Sequence, residues 1–190
     1  MFYPEGITRP PWRETPSELF DSDLYLQRLA NVGIHPSVEE AIRLSLSCFQ
    51  HELFVPCVAM LGAASEAAWI QLGHALTKRS PDSAVASKLL NDLDGPQVST
   101  KNKMERVCNL YDLPAFKPLY GTSRIDNTRL RRIQQWSDQV REARNVLHWG
   151  ATPSVPNSYE KVAVLLMDAV SEIRDLHLVK NSADLQATLG

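Results

Sequence analysis

Arg141, Arg144, Asn145 and His148 fall within a single run of eight residues, inside the string Val140-Arg-Glu-Ala-Arg-Asn-Val-Leu-His-Trp-Gly150. Those side-chain types suit phosphate chemistry. A planar guanidinium presents several donors to phosphate oxygens. Histidine has the unperturbed pKa nearest neutrality, so it can move a proton while arginine holds the anion. RNA carries its own nucleophile, the 2′-OH beside each phosphodiester, and its cleavage by such residues needs no metal. The same residues also have a structural reading. An arginine at the edge of a core pairs with a carboxylate, and a histidine in the last turn of a helix is favoured by the helix dipole.

The angular placement of the four residues keeps both readings open. With about 100° per residue and Val140 at zero, the apolar residues Ile133, Trp136, Ala143 and Leu147 fall within about 60° of it. Arg144 then lies near about 40°, His148 near about 80°, Arg141 near about 100° and Asn145 near about 140°. All four flank one edge of the apolar stripe, where a helix meets its neighbour.

An acid stands out in another segment. The stretch VPCVAMLGAASEAAWIQLGHAL, residues 55–76, is apolar nearly all round except at Glu66. Such a helix is central in a bundle, and a buried carboxylate there needs a partner. Arg144 and Arg141 are the candidates. Pairing with Arg144 would leave Arg141 the freer phosphate ligand, whereas a Glu66 at the bundle edge would simply be solvated. Gly62, Ala63 and Ala64 leave room beside it for a close helix.

The elements that must position these groups are helices. Residues 1–15 carry three of the twelve prolines and read as an extended arm. A first helix is expected from about Pro16 to Asn31, with Gly33 marking its end. Ser37 with Glu40 forms a capping box for a second helix reaching about His51. A third runs from Phe54 to Lys78, tolerating Pro56 in its first turn. Shorter helices follow, from Ser80-Pro81-Asp82 to Gly95 and from Ser99 or Thr100 to Tyr111. Asp112 to Ser123, with two prolines and a glycine, reads as a loop. The helix bearing the four polar residues spans Asn127 to Trp149 and is broken by Gly150 and the prolines after it. The last helix spans Ser158 to Val179, and a frayed tail covers 180–190. No segment alternates with period two. The expected fold is all-α, an up-and-down helical bundle with additional short helices, formed by one domain over residues 16–179.

The string 140–150 resembles the signature of the HEPN superfamily, small helical-bundle proteins whose motif is an Arg, four to six residues, then a His, often with Asn after the Arg. Ala59-Met-Leu-Gly-Ala-Ala-Ser-Glu66 resembles the acid-bearing central helix of HEPN-like proteins. The likeness covers roughly residues 38–178, and these two stretches are its specific part. Six residues separate Arg141 from His148, which fits the longest form, and three separate Arg144 from His148, one fewer than the shortest. Either Arg141 is the motif arginine and Arg144-Asn145 is structural, or the site is a non-catalytic relative. The resemblance implies a metal-independent endoribonuclease of a toxin–antitoxin or phage-defence system, acting on RNA as a homodimer. In that reading His148 is the general acid or base, Arg141 and Arg144 bind phosphate, Asn145 orients the site and Glu66 supports it. The alternatives are a non-catalytic binding or dimerisation module and a regulatory partner of a cognate antitoxin or other protein.

Composition narrows the setting. A net charge of −2 excludes a protein whose whole surface blankets nucleic acid. A local basic rim from Arg124, Arg129, Arg131, Arg132, Lys101, Lys103 and Arg106 stays open beside the plainer reading of solvated helix faces. Cys48, Cys57 and Cys108 match no zinc or redox spacing, and buried reduced thiols suit a cytoplasmic protein. No metal site or cofactor motif is present, and His35, His51, His74 and His177 form no ligand pattern. The start of the chain lacks the features of a signal peptide, and the apolar run Leu53–Ala64 is short for a membrane span. Trp69 and Trp136 read as core. Trp149 could stack on a base, although packing at the helix end is the simpler role.

Overall fold

Most helices described in this chain begin where a polar side chain can take the first unpaired N–H groups. In the computed structural model, Asp21 accepts from the N–H groups of Asp23 and Leu24 and opens α1 (Ser22–Ala30). His35 caps α2 (Pro36–Gln50) through its ring, which accepts from Ser37 N–H. Asp82 opens α4 (Ser83–Asp94), Ser99 opens α5 (Thr100–Tyr111) and Asp126 opens α7 (Asn127–Arg144). α3 (Phe54–Thr77) starts without a side-chain cap. A 3-10 turn, Pro114–Phe116, leads into α6 (Lys117–Ser123), and α8 (Tyr159–Ala187) is the longest helix described. The structure describes Leu19, residues 21–145 and residues 157–187, with side chains to residue 185. These residues form an all-α fold of many helices, with no strand among them.

α3 is the hub. It packs against α2, α8, α7, α4 and α5. Its apolar surface is spread around the helix, and Cys57, Val58, Leu61, Ala64, Trp69, Leu72 and Leu76 are all buried. By length and composition it is also long and apolar enough to cross a membrane, the one such helix among the described residues. Here its neighbours are the other helices of the bundle. Gly73 permits the closest approach, since a Cβ there would meet Leu93 Cδ1 at 2.5 Å and Val107 Cγ2 at 3.0 Å. α8 lies between α1 and α7, and each reaches one of its carbonyls. Tyr25 O–H donates to Leu166 O at 2.5 Å and Trp136 Nε1–H to Leu165 O at 3.3 Å. Trp69 and Trp136 are both buried, as their positions in the sequence indicate.

Four boundaries differ from the sequence reading. α1 starts at Ser22, because Asp21 supplies the cap; Pro16 to Glu18 lie outside the described residues. The cap of α2 is His35, not Ser37. Pro36 is suited to the first helical position, where no N–H is needed, so Ser37 falls inside the helix. Asp112–Ser123 is not a loop. Pro114 and Pro118 each occupy a first turn, and Phe116 and Leu119 anchor the segment in the core. α8 continues past Val179 through the expected tail to Ala187. Ala183 is fully buried, Asn181 Nδ2–H donates to Val32 O at 2.7 Å, and Lys180 pairs with Asp184 at 2.9 Å.

Candidate functional site

The polar residues singled out in the sequence meet where the last turns of α7 cross the middle of α3. Arg144 lies across Gly62, whose missing side chain makes the contact possible; a Cβ there would meet Arg144 Cδ at 3.3 Å. Four residues along α3, Glu66 Oε2 accepts from Arg144 Nη1 at 3.4 Å. The expected pairing of Glu66 thus falls on Arg144. Both side chains keep about three-tenths of their surface, at 29% and 28%. The ion pair is therefore screened and weak as a source of stability.

Beneath it the seam is polar and fully buried. Ser65 Oγ–H donates to Ser137 Oγ at 3.0 Å, and Trp69 Nε1–H donates to the same oxygen at 2.9 Å. A buried acceptor that serves two donors fixes how α7 sits on α3. Gly62, Ser65, Glu66, Ser137, Arg141 and Arg144 all line one crevice of about 10 Å³, which is room for about one water. A nucleotide phosphate can enter only if side chains move.

Arg141 is the more committed arginine, which reverses the expectation that it would be the freer one. Its Nε–H donates to Asp138 Oδ1 at 3.0 Å, one turn back, and its Nη2 lies 3.8 Å from Glu142. With its amide turned so that the nitrogen faces the carbonyl, the orientation its neighbours dictate, Asn145, the C-cap of α7, donates to Arg141 O and accepts from Arg141 Nη1, both at 3.3 Å. Every guanidinium nitrogen of Arg141 thus has a neighbour on its own helix. Arg144 has Glu66 as its ion-pair partner among the described residues. From the start of α8, Asn157 Nδ2–H donates to Ala143 O at 2.9 Å and ties down the end of the same helix. His148 and Trp149 lie outside the described residues, as does the expected course of α7 beyond Asn145.

The basic rim is largely neutralised. Arg129 donates to Asp175 at 2.8 Å and Glu172 at 3.0 Å, Arg131 pairs with Asp112 at 2.6 Å, and Arg106 contacts Asp92. Lys103 is buried and its Nζ–H donates to Leu93 O at 2.7 Å, closing the end of α4. Arg124, Arg132 and Lys101 have no ion pair with the described residues. Burial opposes the charge of Arg129, yet hydrogen bonds to Asp175 and Glu172 hold its pKa above the ordinary value. Burial pushes the Glu172 and Asp168 carboxyls up, against the pull of Arg129.

The cysteines are free, with Cys57 and Cys108 buried and Cys48 half-buried. Burial raises the Cys57 thiol to about 11 and the Cys108 thiol to about 12. No group of three metal-ligating side chains occurs among the described residues. Larger hollows lie elsewhere. An apolar groove of about 380 Å³ runs between α4 and α5 along Val85, Leu89, Leu110 and Leu113, and a polar one of about 360 Å³ lies by Asn127, Thr128 and Arg132.

Ser65, Ser137, Asp138 and Asn157 were not indicated by the sequence reading. Asp138 was the most accessible of these, because an acid three residues before an arginine on one helix face is a local pair. Ser65 and Ser137 pair only through the register of two helices distant in sequence. Searches for related proteins returned no matching family model, curated protein or solved structure.

Proposed function

We propose that this chain is a HEPN-like, metal-independent endoribonuclease of a toxin or phage-defence system, acting as a homodimer. One observation carries the reading: Arg141 and Arg144, a turn apart at the end of α7, line a single crevice with Glu66. Arg144 is the phosphate ligand, because among the described residues only its Nη1 is engaged, at 3.4 Å and by a half-buried acid. An incoming phosphodiester, singly charged like the carboxylate and with two non-bridging acceptor oxygens, competes directly with Glu66 for that guanidinium. Arg141 is held by Asp138 and Asn145, so it supplies a fixed positive charge at the rim. His148, four residues beyond Arg144, takes the proton from the 2′-OH or delivers one to the leaving 5′-oxygen. The 2′-oxygen attacks phosphorus and the P–O5′ bond breaks. The products are a 2′,3′-cyclic phosphate and a 5′-OH. The arginines stabilise the charge that builds on the phosphoryl oxygens.

A second reading rests on the same crevice. Both arginines already face carboxylates, and the space between them holds about one water. That arrangement suits a non-catalytic module in which the motif fixes helix packing or dimerisation, or a regulatory partner of another protein. Purified protein incubated with mixed RNA in EDTA, beside His148→Ala and Arg144→Ala, separates the two. Cleavage that leaves cyclic-phosphate ends and is lost in both variants supports the nuclease. Cleavage retained by His148→Ala, or none across structured, single-stranded and transfer RNA, favours the module. Mass in solution tests the homodimer.

A further inference from the structure

The turn between α1 and α2 is fastened to α8 by two hydrogen bonds, one of which depends on a histidine being neutral. Asn181 Nδ2–H donates to Val32 O at 2.7 Å. One turn back along α8, His177 is only 2% exposed. Its Nδ1 lies 2.9 Å from Ile173 O, and its Nε2 accepts from His35 N–H at 3.5 Å. A carbonyl on one side and an N–H on the other assign the tautomer: Nδ1 carries the proton and Nε2 is bare. His35 uses its own ring in the same sense. Its Nδ1 accepts from Ser37 N–H at 3.2 Å and caps α2. Two imidazoles in series thus serve as acceptors at one joint, and protonation of His177 Nε2 turns it into a donor facing an N–H.

The surroundings offer a charged His177 little compensation. Burial disfavours the charge most; the Ile173 carbonyl favours it, and Lys180 on α8 and His35 in the turn both disfavour a second positive charge. α1 ends in the basic Arg28. α3 sends Lys78 toward Asp184, which Lys180 already holds, and α2 commits Glu39 to Arg43. Gly33, at φ +61°, and the half-buried Ile34 let the turn lie against the bundle. α1 is a helix of nine residues that buries Tyr25, Leu26 and Leu29.

We propose that the His35–His177 joint is an acid-released latch: a proton on His177 Nε2 expels His35 N–H, the 31–35 turn leaves α8, and α1 loosens with it. The inference is independent of the nuclease reading. Burial lowers the pKa of His177 from its ordinary value of 6.5, so the unfolded or released form binds the proton more readily. The latch is closed above about pH 6.5, and its stability falls as the pH drops below that toward the depressed value. Its natural trigger is therefore acidification from neutrality.

The test is amide hydrogen exchange of the full chain at about pH 7.5 and about pH 5, with rates corrected for the intrinsic chemistry. Protection of residues 32–35 and of α1 is expected to fall by about tenfold or more on acidification, while α3 keeps its protection. His177→Gln retains a donor and an acceptor without a titrating proton, and its turn should show no acid response. His35→Asn retains a capping acceptor on α2 and should preserve most of the response. Should His177→Gln fail to fold, nitrogen NMR of the wild-type imidazole decides instead. Nε2 is expected bare at neutral pH and to gain its proton in step with the loss of protection. Unchanged protection at low pH, a full response in His177→Gln, or a proton already on Nε2 at neutral pH would overturn the latch.

Discussion

Gly62 and Gly73 sit on the same central helix, and substitution to alanine should drive stability in opposite directions. Replacing a glycine inside a helix by alanine returns about 1 kcal/mol of backbone entropy in either case. The space at the two positions differs. A Cβ at Gly73 would meet Leu93 Cδ1 at 2.5 Å, Val107 Cγ2 at 3.0 Å and Leu93 Cδ2 at 3.1 Å. Leu93 is 2% exposed and Val107 is fully buried and stiff at χ1, so neither has free space to move into. Overpacking of that kind costs about 1–3 kcal/mol, and three close contacts place it at the upper end. The net for Gly73→Ala is a loss of about 1–2 kcal/mol, which for a chain of this size lowers Tm by about 3–6 °C. At Gly62 the atoms nearest the new Cβ all belong to Arg144, with Cδ at 3.3 Å, and that side chain is half-buried and flexible. A shift of a few tenths of an ångström relieves the contact. Gly62→Ala should therefore gain about 0.5 kcal/mol and raise Tm by about 1–2 °C. Thermal and urea unfolding followed by circular dichroism measure both. A Gly73→Ala protein as stable as wild type would refute the close approach of α4 and α5 to α3. Equal losses at the two sites would refute the claim that Arg144 can yield.

Other perturbations bear on the polar contacts. Ser137→Ala removes the acceptor shared by Ser65 and the buried Trp69 indole, and should cost about 1–3 kcal/mol. Ser65→Ala leaves the Trp69 bond intact and should cost less; the reverse order in urea unfolding would contradict the shared-acceptor geometry. Arg129→Met leaves Glu172, at 8% exposure, without its cation and Asp175, at 4%, with Arg174 alone, and should cost about 3 kcal/mol near neutral pH. Because burial raises the Glu172 pKa, this group favours folding below its unfolded value and loses that contribution as pH rises through the folded one. The variant should thus recover stability as the pH falls from neutrality toward about pH 5, as the unpaired Glu172 carboxyl takes up a proton, and a flat difference would contradict the assignment. For thiols, the native protein should react with a disulfide reagent first at Cys48. Cys57 and Cys108 should react only on unfolding, since burial holds them at about 11 and about 12. Three equally fast thiols would contradict that burial.

Where the sequence reading held, the controlling forces were local. Apolar residues at helical spacing placed the cores of α2, α3, α7 and α8, because each stripe is written in consecutive turns. Where it missed, a local signal had two outcomes and tertiary packing chose between them. Prolines 114 and 118 read as loop residues, yet proline is equally at home in a first turn, and burial of Phe116 and Leu119 selected the turn. Ser37 with Glu40 has the pattern of a capping box, but Pro36 one residue earlier started the helix sooner and handed the cap to His35. The end of α8 looked frayed because its anchors, Val32 and Lys78, lie far away in the chain.

The candidate site divides along the same line. A helical wheel gives the angle of a residue about its own axis and nothing about which residue stands opposite along a neighbour. The angles of Arg141, Arg144 and Asn145 placed all three at the rim of the apolar stripe, where each is half-buried. Which arginine remains available was decided by the axial register of α7 on α3. That register is set by the Ser65–Ser137–Trp69 contacts and by the gap at Gly62, and it lays Arg144 against Glu66. Arg141, one turn earlier, finds its partners on its own helix instead. The spacing to His148 pointed to Arg141 as the motif arginine, whereas the packing leaves Arg144 with the open edge. Chemistry at this site therefore turns on whether a phosphate can displace Glu66 from Arg144. In a nuclease, Glu66→Gln should tighten phosphate binding; where the pair only locks α7 to α3, it should leave binding unchanged.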